Sequence, residues 1–215
     1  MPKGTYRTVI ALLIALLLAG CWDRRELNDL AIAVGLGMDK HGDEIEITAQ
    51  IVNPGEVASH QGISAYRAPV SSFSTTGHST FEAIRKMTMI APRQIFTSHL
   101  RVLVIGEEMA RAGLKKMIDG ISRDREFRTD FYLIVAKGMS AKRVLETMTS
   151  IEKIPANKLF VSLEAAEKTW APAVKMQLDT FLSDLIKPAK STVMTGIVVD
   201  GDPVAGNSIR DAEKI

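Results

Sequence analysis

One cysteine, four histidines and a run of interleaved acids and bases are the residues of this chain with chemistry to offer. The cysteine is Cys21, preceded by Leu18, Ala19 and Gly20. Small residues before a thiol at the end of an apolar run have the form of a lipobox. A peptidase cleft admits Ala19 and Gly20, the chain is cut before Cys21, and the thiol takes a lipid. The residues upstream fit. Lys3 and Arg7 give a positive start, and Val9–Leu18 is an unbroken apolar run, half of the ~20 residues needed to span a bilayer. That order is a secretory signal. An ordinary signal with a chance cysteine, or an uncleaved anchor, is the alternative. With Cys21 lipidated, no thiol remains for a disulfide, redox chemistry or a nucleophile.

The other reactive types form no constellation. His41, His60, His78 and His99 are scattered, and no zinc-helix, paired Cys/His or nucleophile-elbow pattern accompanies them. The reading is therefore no catalytic residue, no metal and no cofactor. His99 precedes the apolar stretch Arg101–Ile105, where a hydrogen-bonded structural histidine is expected rather than a ligand. Asp119, Asp124, Glu126 and Asp130 interleave with Arg123, Arg125 and Arg128. Alternating signs of this kind describe a solvated, ion-paired surface. A partner-docking role for that segment is the alternative, and nothing selects two of the carboxylates as a glycosidase pair.

These residues must be placed by a fold. Removing residues 1–20 leaves 195 of 215 residues, enough for one domain with a sizeable core. Apolar content is 46% and charged content 24%, a globular rather than disordered balance. The whole chain carries +2, and loss of Lys3 and Arg7 makes it neutral, so no global field draws nucleic acid. Residues 22–29 read as a polar tether, with Trp22 suited to a membrane interface or to packing on the domain.

Leu30–Met38 is a continuous apolar run with turn residues after it, which predicts a buried strand. Gly35 and Gly37 share a face, where close packing of another element is expected; a phosphate loop lacks the further glycines it needs. Glu44–Val52 alternates, with Ile45, Ile47, Ala49 and Ile51 on one face and Glu44, Glu46, Thr48 and Gln50 on the other. It predicts a half-buried strand hairpinned through Asp39–Asp43. Asn53–Ala65 is a long loop, and Arg67–Thr76, broken by Pro69, an edge strand.

Ser79 with Glu82 is a capping box opening a helix that Pro92 ends. Arg101–Ile105 and Phe131–Ala136 are buried strands. Between them Ala110, Leu114, Met117, Ile118 and Ile121 form one helical stripe after Gly106. Ser140 caps a helix with Ala141, Val144, Leu145 and Met148 on one face. Helices over 157–169 and 175–186 and a strand over 192–199 complete the pattern. The alternation over 67–148 predicts parallel pairing with right-handed crossovers. The expected fold is α/β: a mixed sheet of about six strands flanked by helices, an N-terminal hairpin followed by βαβαβ units. The organisation expected is a signal at 1–20, a tether at 21–29, a domain at 30–199 and a linker at 200–215 leading to a missing C-terminal region.

Several segments together resemble one family: CWDRREL (21–27) followed by LAIAVGLGMDK (30–40), GHSTFEAIRKM (77–87), SHLRVLVIGEEMARAGL (98–114) and RDREFRTDFYLIVAKG (123–138). The chain resembles the Ger(x)C spore germination lipoproteins, the C subunits of nutrient germinant receptors in endospore-forming bacteria. The resemblance runs from Cys21 to about Val199. It implies a domain of α/β type, lipid at Cys21, and attachment to the outer face of the spore inner membrane. It also implies work with membrane A and B subunits and no enzymatic activity. Family members are usually nearly twice this long. Two competing readings are a lipid-anchored solute-binding protein capturing a small nutrient and an exported lipid-anchored hydrolase. The second needs a nucleophile or metal site that the sequence does not offer, and would be revived only if alanine at His99 and Asp130 abolished a measurable turnover.

Overall fold

The structure, a computed structural model, describes residues 3–18, 26, 29–54, 68–147, 149, 152–169, 173–187 and 190–200. Cys21 and most of the tether, His60 and most of the 53–65 loop, Met148 and residues 201–215 lie outside the described residues. The chain divides at Leu30 into two compact units. The first holds α1 (Lys3–Leu18), which takes in the whole apolar run. No helix among the described residues is long and apolar enough to cross a membrane.

The second unit is built on one mixed sheet of seven strands. β1 (Leu30–His41) and β2 (Glu44–Val52) form the expected hairpin, but β1 runs on through the residues read as turn. Asp39, Lys40 and His41 pair with Glu46, Ile45 and Glu44. The turn shrinks to Gly42 and Asp43, with Gly42 at a φ of 61° that favours glycine. β3 (Val70–Gly77) lies antiparallel to β2 at the sheet edge. The edge position agrees with the sequence pattern; membership of the parallel run does not hold, because the long 53–69 connection returns the chain beside β2. The parallel set instead starts with β1 and continues through β5 (Val102–Gly106), β6 (Tyr132–Ala136) and β7 (Thr195–Ile197). The order is β3-β2-β1-β5-β6-β7, and a short β4 (Gln94–Phe96) also pairs with β1.

Six helices among the described residues cover the sheet. α2 (Thr80–Met87) starts at its expected cap: Ser79 Oγ accepts from the Glu82 N–H at 3.2 Å, while Glu82 reaches back one residue past the cap and accepts from the His78 N–H at 3.0 Å. The single stripe expected after Gly106 is two helices, α3 (Glu107–Ala112) and α4 (Lys115–Ser122). Gly113 breaks them at a φ of 107°, and the stripe continues because both segments face one core. α5 (Ala141–Glu146), α6 (Pro155–Thr169) and α7 (Leu178–Ile186) complete the set.

On the first face, Leu36, Met38, Ile47, Leu103, Ile105 and Leu133 of the sheet pack with Phe131 and with α2, α4 and α7. On the second, Val34, Val102, Val104 and Ile134 meet α5 and α6. Gly35 and Gly37 let these helices close. A Cβ on Gly35 would lie 2.8 Å from Ala156 Cβ, and one on Gly37 would lie 3.2 Å from Ala141 Cβ. The close packing read from the two glycines is therefore present. The polar face of β2 is half-buried only at its start, since Thr48 and Gln50 are fully buried. Gln50 donates to Leu145 O at 2.5 Å and accepts from the Ala156 N–H at 2.9 Å, joining the end of α5 to the start of α6.

Candidate functional site

β1 is the strand from which the order departs in both directions, to β2 and β3 on one side and to β5, β6 and β7 on the other. Chain leaving the carboxyl ends of β1 and β5 diverges, and in open α/β sheets that divergence leaves a crevice suited to ligands. Here it is a cleft of about 610 Å³. Asp39 and Lys40 of β1, Glu46 of β2, Gly106 ending β5, Glu107, Glu108, Met109 and Arg111 of α3, and the Gly138–Ser140 turn line it.

Asp39 anchors the inner wall. Its carboxylate accepts from the N–H groups of Ala141 at 2.7 Å and Lys142 at 2.9 Å. Burial pushes its pKa above the ordinary aspartate value, outweighing the two N–H groups that lower it. Gly106 has no room for a side chain, since a Cβ there would collide with the Asp39 carboxylate. Glu46 pairs with Lys142 at 3.2 Å. Arg111 at 2.7 Å and the Gly138 N–H at 2.8 Å hold Glu107 below the usual carboxylate range. Ser140 Oγ accepts from the Arg143 N–H at 3.2 Å as the α5 cap. The lining thus offers charge and hydrogen bonds to a solute, with its serine occupied as a helix cap.

The residues singled out in the sequence are elsewhere. Cys21 and His60 lie outside the described residues. His41 is exposed at the end of β1. His78 Nε2 lies 3.7 Å from Glu44, and His99 is exposed with its ring edge-on to Phe96 at 5.7 Å. Among the described residues His99 is thus held by a ring contact rather than by the hydrogen bond expected of it. No group of three His, Cys, Asp or Glu among the described residues is placed to hold a metal. The acid–base segment is a solvated, paired surface as read: Arg123 meets Asp119 at 3.0 Å and Arg128 meets Asp130 at 2.8 Å, all exposed. Sequence reasoning misses Asp39, Glu46 and Glu107. An acid at the carboxyl end of the first buried strand, with a glycine ending the next, is the signal that points to them.

The cleft and the sheet that forms it fall within residues 23–199, and those residues match the family model described as the spore germination protein N-terminal domain. The chain belongs to the spore germination protein family. It is 35% identical over 217 aligned residues to spore germination protein KC of Bacillus subtilis (strain 168), covering 99% of this chain and 53% of that protein. It is 34% identical over 190 residues to the putative spore germination protein YfkR of the same strain, covering 87% of this chain and 48% of that one. Spore germination protein A3 is 27% identical over 135 residues, 61% of this chain and 35% of the relative. The chain spans about half the length of the first two relatives. No solved structure matches. The resemblance read from the quoted segments is thus to the right family, and the α/β class is the observed one.

Proposed function

We propose that this chain is a non-enzymatic, lipid-anchored subunit of a nutrient-sensing germinant receptor. It supports spore germination by docking on membrane A and B subunits. The observation that carries the reading is the family match over residues 23–199. The chain is exported by the signal at 1–20, acylated at Cys21 and held by the 21–29 tether at the outer face of the spore inner membrane. The domain at 30–199 does the docking, and residues 200–215 serve as a linker at its carboxyl end. More than one acyl chain gives the stable attachment that a single chain does not. Confinement to a surface raises the effective concentration of docking partners, so a weak interface stays occupied.

The test is germination of spores with and without the chain, followed by loss of optical density across a panel of amino acids and sugars, with a non-nutrient trigger as control. Loss of the response to one nutrient with the control intact is expected. Cys21→Ser moves the protein from the membrane to the soluble fraction and abolishes fatty-acid labelling. Unchanged germination together with no co-purification of A or B subunits overturns the reading.

A further inference from the structure

Docking leaves the cleft at the carboxyl ends of β1 and β5 without a task. Its volume of about 610 Å³ falls inside the range of roughly 300–1,000 Å³ that small-molecule sites occupy. It lies at the divergence of the strand order, where α/β sheets take ligands. Its walls come from segments distant in the chain: the β1–β2 hairpin, α3 and the β6–α5 turn. Gly106 lets the Asp39 carboxylate pack directly against its backbone.

The chemistry depends on which lining groups are already engaged. Asp39, Glu46 and Glu107 each have donors from the protein. The Glu108 carboxylate is exposed and has no hydrogen bond or ion pair among the described residues. The same holds for the Lys40 ammonium. Four carboxylates against Lys40 and Arg111 leave the lining net acidic. An ammonium entering would find a free acceptor at Glu108 in a lining of net negative charge, and that net charge disfavours a lone carboxylate despite the free Lys40. Met109 and Met139 supply pliable apolar surface beside it.

We propose that this cleft binds a small solute carrying an ammonium group on a short apolar body, with the ammonium at Glu108 and the body against Met109 and Met139. The assignment rests on the cleft and is independent of lipid at Cys21 and of docking. Zwitterionic amino acids and simple amines share this chemistry, and the test separates them.

The full chain, purified in detergent, is titrated calorimetrically with three probes of similar skeleton: leucine, isoamylamine and isocaproate. Saturable heat is expected from the ammonium-bearing probes and none from isocaproate. Binding by one ammonium probe alone also supports the proposal and tells whether Lys40 takes a carboxylate. Glu108→Gln weakens binding about tenfold, the scale of one charge-assisted hydrogen bond. Asp119→Asn, on the exposed pair with Arg123, leaves it unchanged. A second readout needs no variant: isoamylamine shifts the methyl resonances of Met109 and Met139 among the ten methionines. Equal binding of isocaproate, no saturable heat from any probe, full affinity in folded Glu108→Gln, or shifts confined to other methionines overturns the proposal.

Discussion

The helices on one face of the sheet, α2, α4 and α7, pack with Leu36, Met38, Ile47, Ile105 and Phe131. Those on the other, α5 and α6, meet Gly35, Gly37 and Gln50. The first face is closed by apolar volume, which is tolerant of detail and sensitive to loss of mass. The second also has apolar contacts, from Val34, Val102, Val104 and Ile134, but adds close helix approach at Gly35 and Gly37 and buried polar side chains that satisfy helix ends. α5 has only six residues, too few to persist alone. Asp39 accepts from N–H groups at its start, and Gln50 donates to the Leu145 carbonyl near its end. The position of a short helix is thus set by two strand residues, and with it the turn that walls the cleft.

If that contrast is right, the largest loss comes from removing mass on the first face. Phe131 is 1% exposed, and Phe131→Ala should cost about 3–5 kcal/mol. A lower urea midpoint with unchanged slope is the readout. Gln50→Leu comes next at about 2–4 kcal/mol, because it keeps the volume but leaves the Ala156 N–H and the Leu145 carbonyl unpaired in the interior. A silent Gln50→Leu would break the comparison, since packing alone would then hold the second face.

Addition rather than removal should matter at Gly35. Gly35→Ala places a methyl 2.8 Å from Ala156 Cβ and should cost about 1–3 kcal/mol. Ala156→Gly in the same chain should recover part of the loss. Gly196→Ala, whose Cβ would meet nothing nearer than 3.9 Å, should stay within about 0.5 kcal/mol.

The smallest effect is a slope with pH. Burial raises the pKa of Asp39 in the folded state. The native protein therefore holds that proton more tightly than the unfolded chain does. The contribution of Asp39 to stability is greatest in acid, falls as pH rises from the ordinary aspartate range, about 4, through the raised native value, and is then level. The difference in urea midpoint between the parent and Asp39→Asn should carry this slope. A flat difference would mean that the two N–H groups cancel the cost of burial.

The same contrast explains what is legible in the sequence. The first face is readable because its partners repeat at helical or strand spacing: Ile45, Ile47, Ala49 and Ile51 in β2, Met117, Ile118 and Ile121 in α4. Gly35 and Gly37 also announce a close neighbour, though not its identity. Thr48 and Gln50 group correctly on one face, but alternation cannot tell what will cover a face. The covering segments lie about a hundred residues further on: Gln50 reaches Ala156 across 106 positions. Asp39 reads as turn because Asp-Lys-His-Gly is turn composition. A strand carries that aspartate only because N–H groups 102 and 103 residues away receive it. The candidate cleft is hidden for the same reason, as its residues converge only after the parallel strands align. Gly113 divides a stripe that is continuous in periodicity, since a change of helix direction leaves the apolar pattern intact.

The long reach of Asp39 and Gln50 also sets an order of assembly. β1, β2 and β3 are consecutive in the chain and pair antiparallel, so this meander can form from residues 30–77 alone. β5 and β6 must then be added before α5 has a surface to lie on. Contacts of such sequence separation close late, because the intervening chain must first give up its freedom. A nascent chain stopped short of Ala141 would therefore present a finished meander with Gly35, Gly37 and Gln50 still bare. Maturation of this domain would be seen as late protection of the β5 and β6 amides relative to those of β2.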